Sequence, residues 1–588
     1  MKPTLKLVSA AVGCALAACS QMPAPTQKQA QTPPPTSRPY QAVTDARLQS
    51  PEPANWLSYR GNYGGWGYSP LKAIHTGNVG KLTLAWSYST GQSEGHQAPP
   101  IVNGGYMYVA TPGAQVIAFD AKTGSEIWRY KAQLPAEQLQ LHPTSRGVAL
   151  YGDKVYFATT DCKLLALDAK TGKVAWTTTV CDWKSGYYMT LAPLVAKGKV
   201  MVGSSGGETG VRGFVAGFDA QTGKEAWRTY TVPGPGEAGN DTWPAGDGYK
   251  TGGGSIWITG TYDPQTGLAF WGTGNPAPWP ADLRKGDNLY TSSVIALDVD
   301  SGRIKGHHQY QHNDAWDWDE VSAPLLIDTT WKGKPVKSLV HAGRSGMLWV
   351  LERTADKVNY VEAWPYVNNN VVTAIDKQTG RLTYDETKKP GARQGAAFCP
   401  GLWGGKDWPP EAYNPDTGLL YVPANNNMCG VLPKGENVKY KPGDLYIGYP
   451  LEGVLGSVRV PDPSKTVGEL QAWDMKSGKL AWTHRFDTFL WAPLLTTGGN
   501  LVFAGGTNDR LFRAYDATNG KVLWEYPTPS GVVGVPTSFE VDGTQYIAVQ
   551  AGWGVDAERI QGAFNAILPE RKVVNPQGGT VMVFKVGA

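Results

Sequence analysis

The chain has 588 residues, of which 23 are Trp, 72 Gly and 43 Pro, and only 18 % are charged. That excess of Trp, Gly and Pro excludes a helical bundle, a coiled coil and a charged disordered chain, and predicts many short strands, tight turns and buried aromatics. A formal net charge of +4 without a basic stripe excludes nucleic acid as a partner.

Lys2 and Lys6 precede an uncharged, mostly apolar run from Leu7 to Ala18. The run is too short to cross a bilayer, which takes about 20 residues in a helix. A short positive start followed by a short apolar core predicts a secretory signal over residues 1–18. Its end, Leu16-Ala17-Ala18-Cys19, resembles a bacterial lipobox. The resemblance implies cleavage before Cys19, a lipid on its thiol and, with Ser20 following, a place in the periplasm on the outer membrane. An ordinary signal peptide cut nearby is the alternative. Residues 19–50, rich in Pro, Gln, Thr and Ala, read as a disordered tether without a core, ahead of one folded domain over 51–588.

Export permits disulfides. Besides Cys14 and Cys19 the cysteines are Cys162, Cys181, Cys399 and Cys429. They allow three pairings, and the pairing of sequence neighbours, Cys162–Cys181 and Cys399–Cys429, closes the most local loops. No Cys-x-x-Cys-His occurs, so covalently attached haem is not expected.

A repeat runs through the rest: an apolar strand ending in Asp, a turn with Gly, and a second strand often ending in Trp. It reads VIAFDAKTGSEIW (Asp120, Gly124, Trp128), LLALDAKTGKVAW (Asp168, Gly172, Trp176) and VAGFDAQTGKEAW (Asp219, Gly223, Trp227). VIALDVDSGRIKG (Asp298, Gly302), LQAWDMKSGKLAW (Asp474, Gly478, Trp482) and FRAYDATNGKVLW (Asp516, Gly520, Trp524) follow. Weaker copies centre on Asp263, Asp376 and Asp416. Asp bonds its own downstream backbone and Gly supplies the positive φ of the turn, so each copy predicts a β-hairpin. The spacing between copies, about 45–80 residues, suits one four-stranded sheet with its loops. The predicted fold is therefore all-β, an eight-bladed β-propeller of four-stranded antiparallel blades. The repeated Trp is expected to pack flat between neighbouring blades.

A propeller can be an inert scaffold, and the lipoprotein of the outer-membrane barrel-assembly machine has similar repeats. This chain carries more. NWLSYRGNYGGWGYSPL near the start, GSSGGETGVRGF (203–214), GGGSIWITGTYDPQTGLAFWGTGNPAPW (252–279) and GDNLYTSSVIALDVDSGRIKGHHQYQHNDAWDWDEV (286–321) resemble the quinoprotein alcohol dehydrogenases. These are propeller enzymes that use pyrroloquinoline quinone (PQQ) and a metal ion. The resemblance implies that 51–588 is a PQQ-binding catalytic domain that oxidises an alcohol to an aldehyde or ketone by hydride transfer to PQQ. Electrons would pass to a separate cytochrome c. A PQQ sugar or aldehyde dehydrogenase of the same fold is the nearest alternative, and the scaffold lipoprotein the next.

Carboxylates and an amide oxygen are hard ligands suited to Ca²⁺ or a similar ion. The resemblance assigns Glu208 and Asn275 to the metal, and Asp317 to the general base beside it. Asp319 adds a third negative charge one residue past Trp318, on the same face as Asp317 if the segment is extended. An acidic residue at that place accompanies a lanthanide in relatives, so Asp319 favours a lanthanide, with Ca²⁺ as the alternative. PQQ is a flat tricarboxylate that needs an aromatic floor, cations and donors. Trp257 matches the stacking Trp, and Arg146 and Arg344 match the cations. Thr190, Ser205, Gly206, Gly207, Ser255, Asp407 and Trp408 match further contacts, and Trp491 and Trp553 the last ones. Trp316 and Trp318 fall in the same stretches. Two departures stand out. Gln140-Leu141 replace two adjacent cysteines expected over PQQ, leaving Leu141 or His142 to cover that face, and Gln97 replaces an expected Glu. The stretches 232–252 and 430–460 read as loops between repeats that could shape the entrance.

Overall fold

The computed structural model describes residues 38–587, Leu139 excepted. Signal, lipobox and most of the tether lie outside the described residues. Among the described residues eight sheets, each built on four antiparallel strands, make the blades, and six of them carry copies of the repeat. Blades one to five span 101–131, 149–179, 194–230, 261–309 and 325–365. Blades six and seven span 412–486 and 495–527. Blade eight joins both ends of the propeller: Leu82–Ser89 pairs antiparallel with Thr580–Val586, beside 544–551 and 537–541. Burial falls from the first strand of a blade to the last. In blade two, Ala149–Tyr151 is mostly buried, whereas Val174–Thr179 alternates between exposed and half-buried residues.

The turn chemistry is that read from the repeat. Asp120 Oδ1 accepts the backbone N–H of Lys122 and Thr123, and Gly124 N–H bonds the Asp120 carbonyl. Asp168, Asp219 and Asp376 do the same. The repeated indoles bind one blade to the next through Nε1–H bonds to carbonyls: Trp86 to Ala121, Trp128 to Ala169, Trp176 to Ala220, Trp227 to Val299, Trp482 to Ala517 and Trp524 to Leu82. Each carbonyl but the last belongs to the residue after the repeat Asp, so the turn of one blade receives the indole of the blade before.

The turn glycine thereby has two reasons to be glycine. Gly172 holds φ +70°, and a Cβ there would come within 2.6 Å of the Trp128 ring. Gly267 in the weaker copy holds φ +72° with open space around it. Gly172→Ala is expected to cost roughly 2–5 kcal/mol, adding overpacking to left-handed strain, and Gly267→Ala roughly 1–2 kcal/mol from strain alone. Urea midpoints of the two variants check this; equal losses would mean that the indole contact contributes nothing.

Both expected disulfides are present, Cys162–Cys181 and Cys399–Cys429, with Cα separations of 5.2 and 4.4 Å. One expectation is corrected at the start of the propeller. Residues 38–50 are not coreless: Val43 and Leu48 are buried, and Val43 bridges Gly152. Helix α1 (Asp45–Gln49) is capped by Thr44, and its Arg47 bonds Glu52 and Asn103. The Pro-rich composition that suggests a tether stops short of this docked segment. Two further helices matter for the site, α2 (Leu451–Leu455) and α3 (Gly554–Ile567). Among the described residues no helix is long and apolar enough to cross a membrane.

Candidate active site

Loops from several blades converge on a cleft enclosing about 940 Å³ including its open mouth. Arg344 lies at its floor. Its guanidinium reaches Asp317 Oδ2 at 3.2 Å, Asp319 Oδ2 at 3.3 Å and Asp407 Oδ2 at 3.4 Å, while Nε donates to the Leu402 carbonyl at 3.0 Å. Three carboxylates around one buried cation leave negative charge in excess. Burial drives the Asp317 carboxyl well above the ordinary carboxylate range; Arg344 opposes this, and Asp319 and Glu208 add to it. Asp319 is pushed up to about 7 by burial, against Arg344 and with Glu208.

The segment carrying both acids is not extended. Asp317 sits at φ +62°, in the left-handed region. A buried carboxylate holds it there: Asp314 Oδ2 accepts the backbone N–H of Trp316 at 3.2 Å and Asp317 at 3.1 Å. Arg284 in turn donates to the Asp314 backbone carbonyl as well as to those of Pro278 and Trp279. Non-glycine residues rarely hold positive φ, and such strain concentrates where a side chain must be aimed. Trp316 and Trp318 stack at 4.7 Å and bond the Lys388 and Gly401 carbonyls. They back this loop and do not line the cleft.

Asp319 links the floor to its neighbours. Its Oδ1 accepts Asn275 N–H at 2.7 Å, and its Oδ2 accepts the Trp257 indole at 3.2 Å. Glu208 belongs to a single 3₁₀ turn, Gly207–Thr209. Gly206 starts that turn at φ +107°, where a Cβ would meet the Gly186 carbonyl at 2.4 Å. The four metal candidates Glu208, Asn275, Asp317 and Asp319 therefore belong to one region. They do not converge on one point: among the described residues no three His, Cys, Asp or Glu side chains cluster closely enough to hold an ion as they stand. Asp317 and Asp319 turn to Arg344, and Glu208 turns to His142, with Nε2 at 3.7 Å.

Arg146 stands over the rings of Trp257 and Trp408 at 4.7 and 5.1 Å. It donates to Thr190 Oγ1 at 2.5 Å, and Thr190 meets Ser205 Oγ at 3.2 Å. Of the sequence candidates, Arg146, Thr190, Ser205, Gly206, Glu208, Trp257, Asp317, Asp319, Arg344, Asp407, Trp408 and Trp491 line the cleft. Gly207, Ser255 and Asn275 stand behind them, with Ser255 Oγ beside Gly207. Two do not reach the cleft. Gln97 is buried, and its carbonyl accepts Val535 N–H. Trp553 lies under the start of α3 against Phe489, because Gly531 and Ser530 receive its ring and its backbone N–H.

The sequence reading missed several residues. Asp314 and Arg284 fix Asp317 from behind. Glu320 accepts the backbone N–H of Arg344 and Ser345, both at 3.1 Å, and so holds the arginine loop. Tyr188, Asp556 and Arg559 line the cleft, as do the two residues considered for its upper face, Leu141 and His142. One wall is apolar: Leu402, Trp403, Leu445, Ile447 and, from α2, Leu451, Val454 and Leu455. Its second half comes from the 430–460 stretch that reads as a possible entrance; 232–252 contributes nothing to the lining.

Buried donors without partners test whether a ligand fits. Arg146 Nε, Asn275 Nδ2 and the indole N–H of Trp403, Trp408 and Trp491 bond nothing. Native interiors seldom leave such groups unpaired. Donors and indole faces around a cleft suit a flat ligand rich in acceptor oxygens, and the surplus carboxylate charge suits a cation.

The chain is matched over residues 56–362 and 355–547 by the family model for the PQQ glucose/ethanol/alcohol dehydrogenase β-propeller domain. Quinoprotein alcohol dehydrogenase PedH of Pseudomonas putida is 40 % identical over 517 residues, 83 % of this chain and 84 % of that one. Quinoprotein ethanol dehydrogenase of Pseudomonas aeruginosa is 38 % identical over 568 residues, 88 % of each. Among solved structures, a europium-containing methanol dehydrogenase superposes with a TM-score of 0.83 at 34 % identity, covering 92 % of this chain and 99 % of that one. Fold and cleft define a propeller enzyme built around a flat, acceptor-rich cofactor and a cation. The chain belongs to the quinoprotein alcohol dehydrogenases, the PQQ-dependent enzymes that oxidise alcohols.

Proposed function

We propose that the chain is an exported alcohol dehydrogenase whose reacting centre is the floor around Arg344. The observation that carries this reading is Arg344 held among Asp317, Asp319 and Asp407, with Trp257 bonded to Asp319. Trp257, Arg146, Thr190, Ser205 and Trp408 would hold PQQ, and Glu208, Asn275, Asp317 and Asp319 the cation. PQQ supplies the two-electron acceptor, and the cation the Lewis acidity that polarises it.

Asp317 takes the hydroxyl proton of the alcohol. Its left-handed backbone and the Asp314 cap aim the carboxylate, and geometry is the first requirement of a general base. Arg344 opposes the rise that burial imposes on the Asp317 carboxyl and holds the side chain in place. The apolar wall from Leu402 to Leu455 excludes water and receives the carbon body of the substrate, so we assign an alcohol with an apolar body. All four cysteines of the described propeller are in disulfides, leaving none of them to attach haem. A separate cytochrome c is the proposed acceptor. The disulfides suit the periplasm, with Cys19 as the lipid anchor.

Asp319 favours a lanthanide, because a third carboxylate adds more attraction for a trivalent ion than for a divalent one. That one similar structure is a europium-containing methanol dehydrogenase supports the assignment. Metal-free protein loaded with PQQ and either La³⁺ or Ca²⁺, and assayed on a panel of alcohols with an artificial electron acceptor, tests both points. Turnover with La³⁺ is expected. Full activity with Ca²⁺ alone would overturn the lanthanide assignment, and turnover of sugars or aldehydes in place of alcohols would replace the substrate.

A further inference from the structure

The loop before Arg146 and helix α3 come from opposite ends of the chain and meet at the cleft through one side chain. His142 Nδ1 lies 2.8 Å from Asp556 Oδ1, across 414 residues of sequence. Its other nitrogen faces Glu208 Oε1 at 3.7 Å. Asp556, in the first turn of α3, is also approached by Arg559 at 3.4 Å. The contact with Asp556 is within hydrogen-bond range, and the one with Glu208 is a close approach without a bond.

These contacts are more than one surface ion pair. Asp556 is buried, and no other ion pair of the described residues holds the Glu208 side chain. The inner face of α3 already rests on Phe489 through Phe564. Its first turn borders the cleft; Gln577 Oε1 accepts the Gly554 N–H and Ser530 Oγ the Trp553 N–H, and His142 adds the tie from that turn to the loop before Arg146.

We infer that His142 and Asp556 form a clamp that closes the first turn of α3 over the cofactor cleft, with His142 acting as a positioning residue for Glu208. The clamp rests on the PQQ reading of the cleft only in what it closes over; as a tie between loop and helix it exists without cofactor.

The test uses the full chain in two arms. Hydrogen exchange of α3 in cofactor-free protein reads the clamp alone, and quenching of tryptophan fluorescence by added PQQ reads the closed cleft. His142→Ala and Asp556→Ala are each expected to speed exchange across the first turn of α3 and to weaken PQQ binding about tenfold, the worth of one hydrogen bond. The double variant should lose no more than either single one, since both remove the same contact. His142→Gln, which keeps a donor toward Asp556, should recover part of both readouts, as a merely space-filling residue would not. Unchanged exchange in His142→Ala, or fully additive losses in the double variant, would overturn the clamp. A parent chain that took up no PQQ would overturn the cofactor reading and leave the exchange arm to decide the clamp.

Discussion

Asp317→Asn is expected to lower turnover by about 10²–10⁴-fold, the usual contribution of a general base, without weakening the fold. The asymmetry follows from its surroundings. Asp317 is buried beside Asp319 and Glu208, and both make its charge costly. Removing that charge takes away repulsion, and Arg344 still faces Asp319 and Asp407. Asn also tolerates the left-handed backbone that the Asp314 cap imposes. Asp317→Ala should lose activity equally but melt lower than Asp317→Asn, because alanine at φ +62° costs about 1–2 kcal/mol. Steady-state rates with the reconstituted enzyme and thermal midpoints of both variants supply the check. Retained turnover in Asp317→Asn would remove the assigned base.

The hairpins were legible because their cause is local: Asp120 and Gly124 make their turn from five consecutive residues. The recurrence of Trp128, Trp176 and Trp227 likewise announced blade contacts. What each indole lands on was not legible. Trp128 needs Gly172 of the next blade, a pairing set by tertiary packing. Closure of blade eight was hidden for the same reason, since nothing local tells 82–89 that its partner is 580–586. At the site, residues within strong motifs were readable by resemblance, including Trp257, Asp317 and Arg344. Their supports were not. Asp314 is one more acid in an acidic stretch until its carboxylate is seen capping three backbone N–H groups. Asp556 lies outside every repeat and acquires a role only through a loop 414 residues away. The assumption of an extended 317–319 segment failed because alternation presumes strand φ, and Asp317 has left it.

Arg344→Ala should be the most destabilising single change at the site. It leaves Asp317, Asp319 and Asp407 buried without their common partner, and breaking a buried ion pair costs about 3–5 kcal/mol. Arg344→Lys should recover part of this and no more. One ammonium cannot reach three carboxylates and also replace the Nε–H bond to the Leu402 carbonyl, for which the planar guanidinium fork is needed. Added La³⁺ offers a second reading of the same electrostatics. An ion that binds the folded carboxylates stabilises the folded state by mass action, and without Arg344 those carboxylates hold more uncompensated charge. La³⁺ should therefore raise the midpoint of Arg344→Ala more than that of the parent chain. A parent-like midpoint for Arg344→Ala without metal would mean that the three acids are protonated in the fold. An equal La³⁺ response in both proteins would mean that they are not the groups that meet the cation.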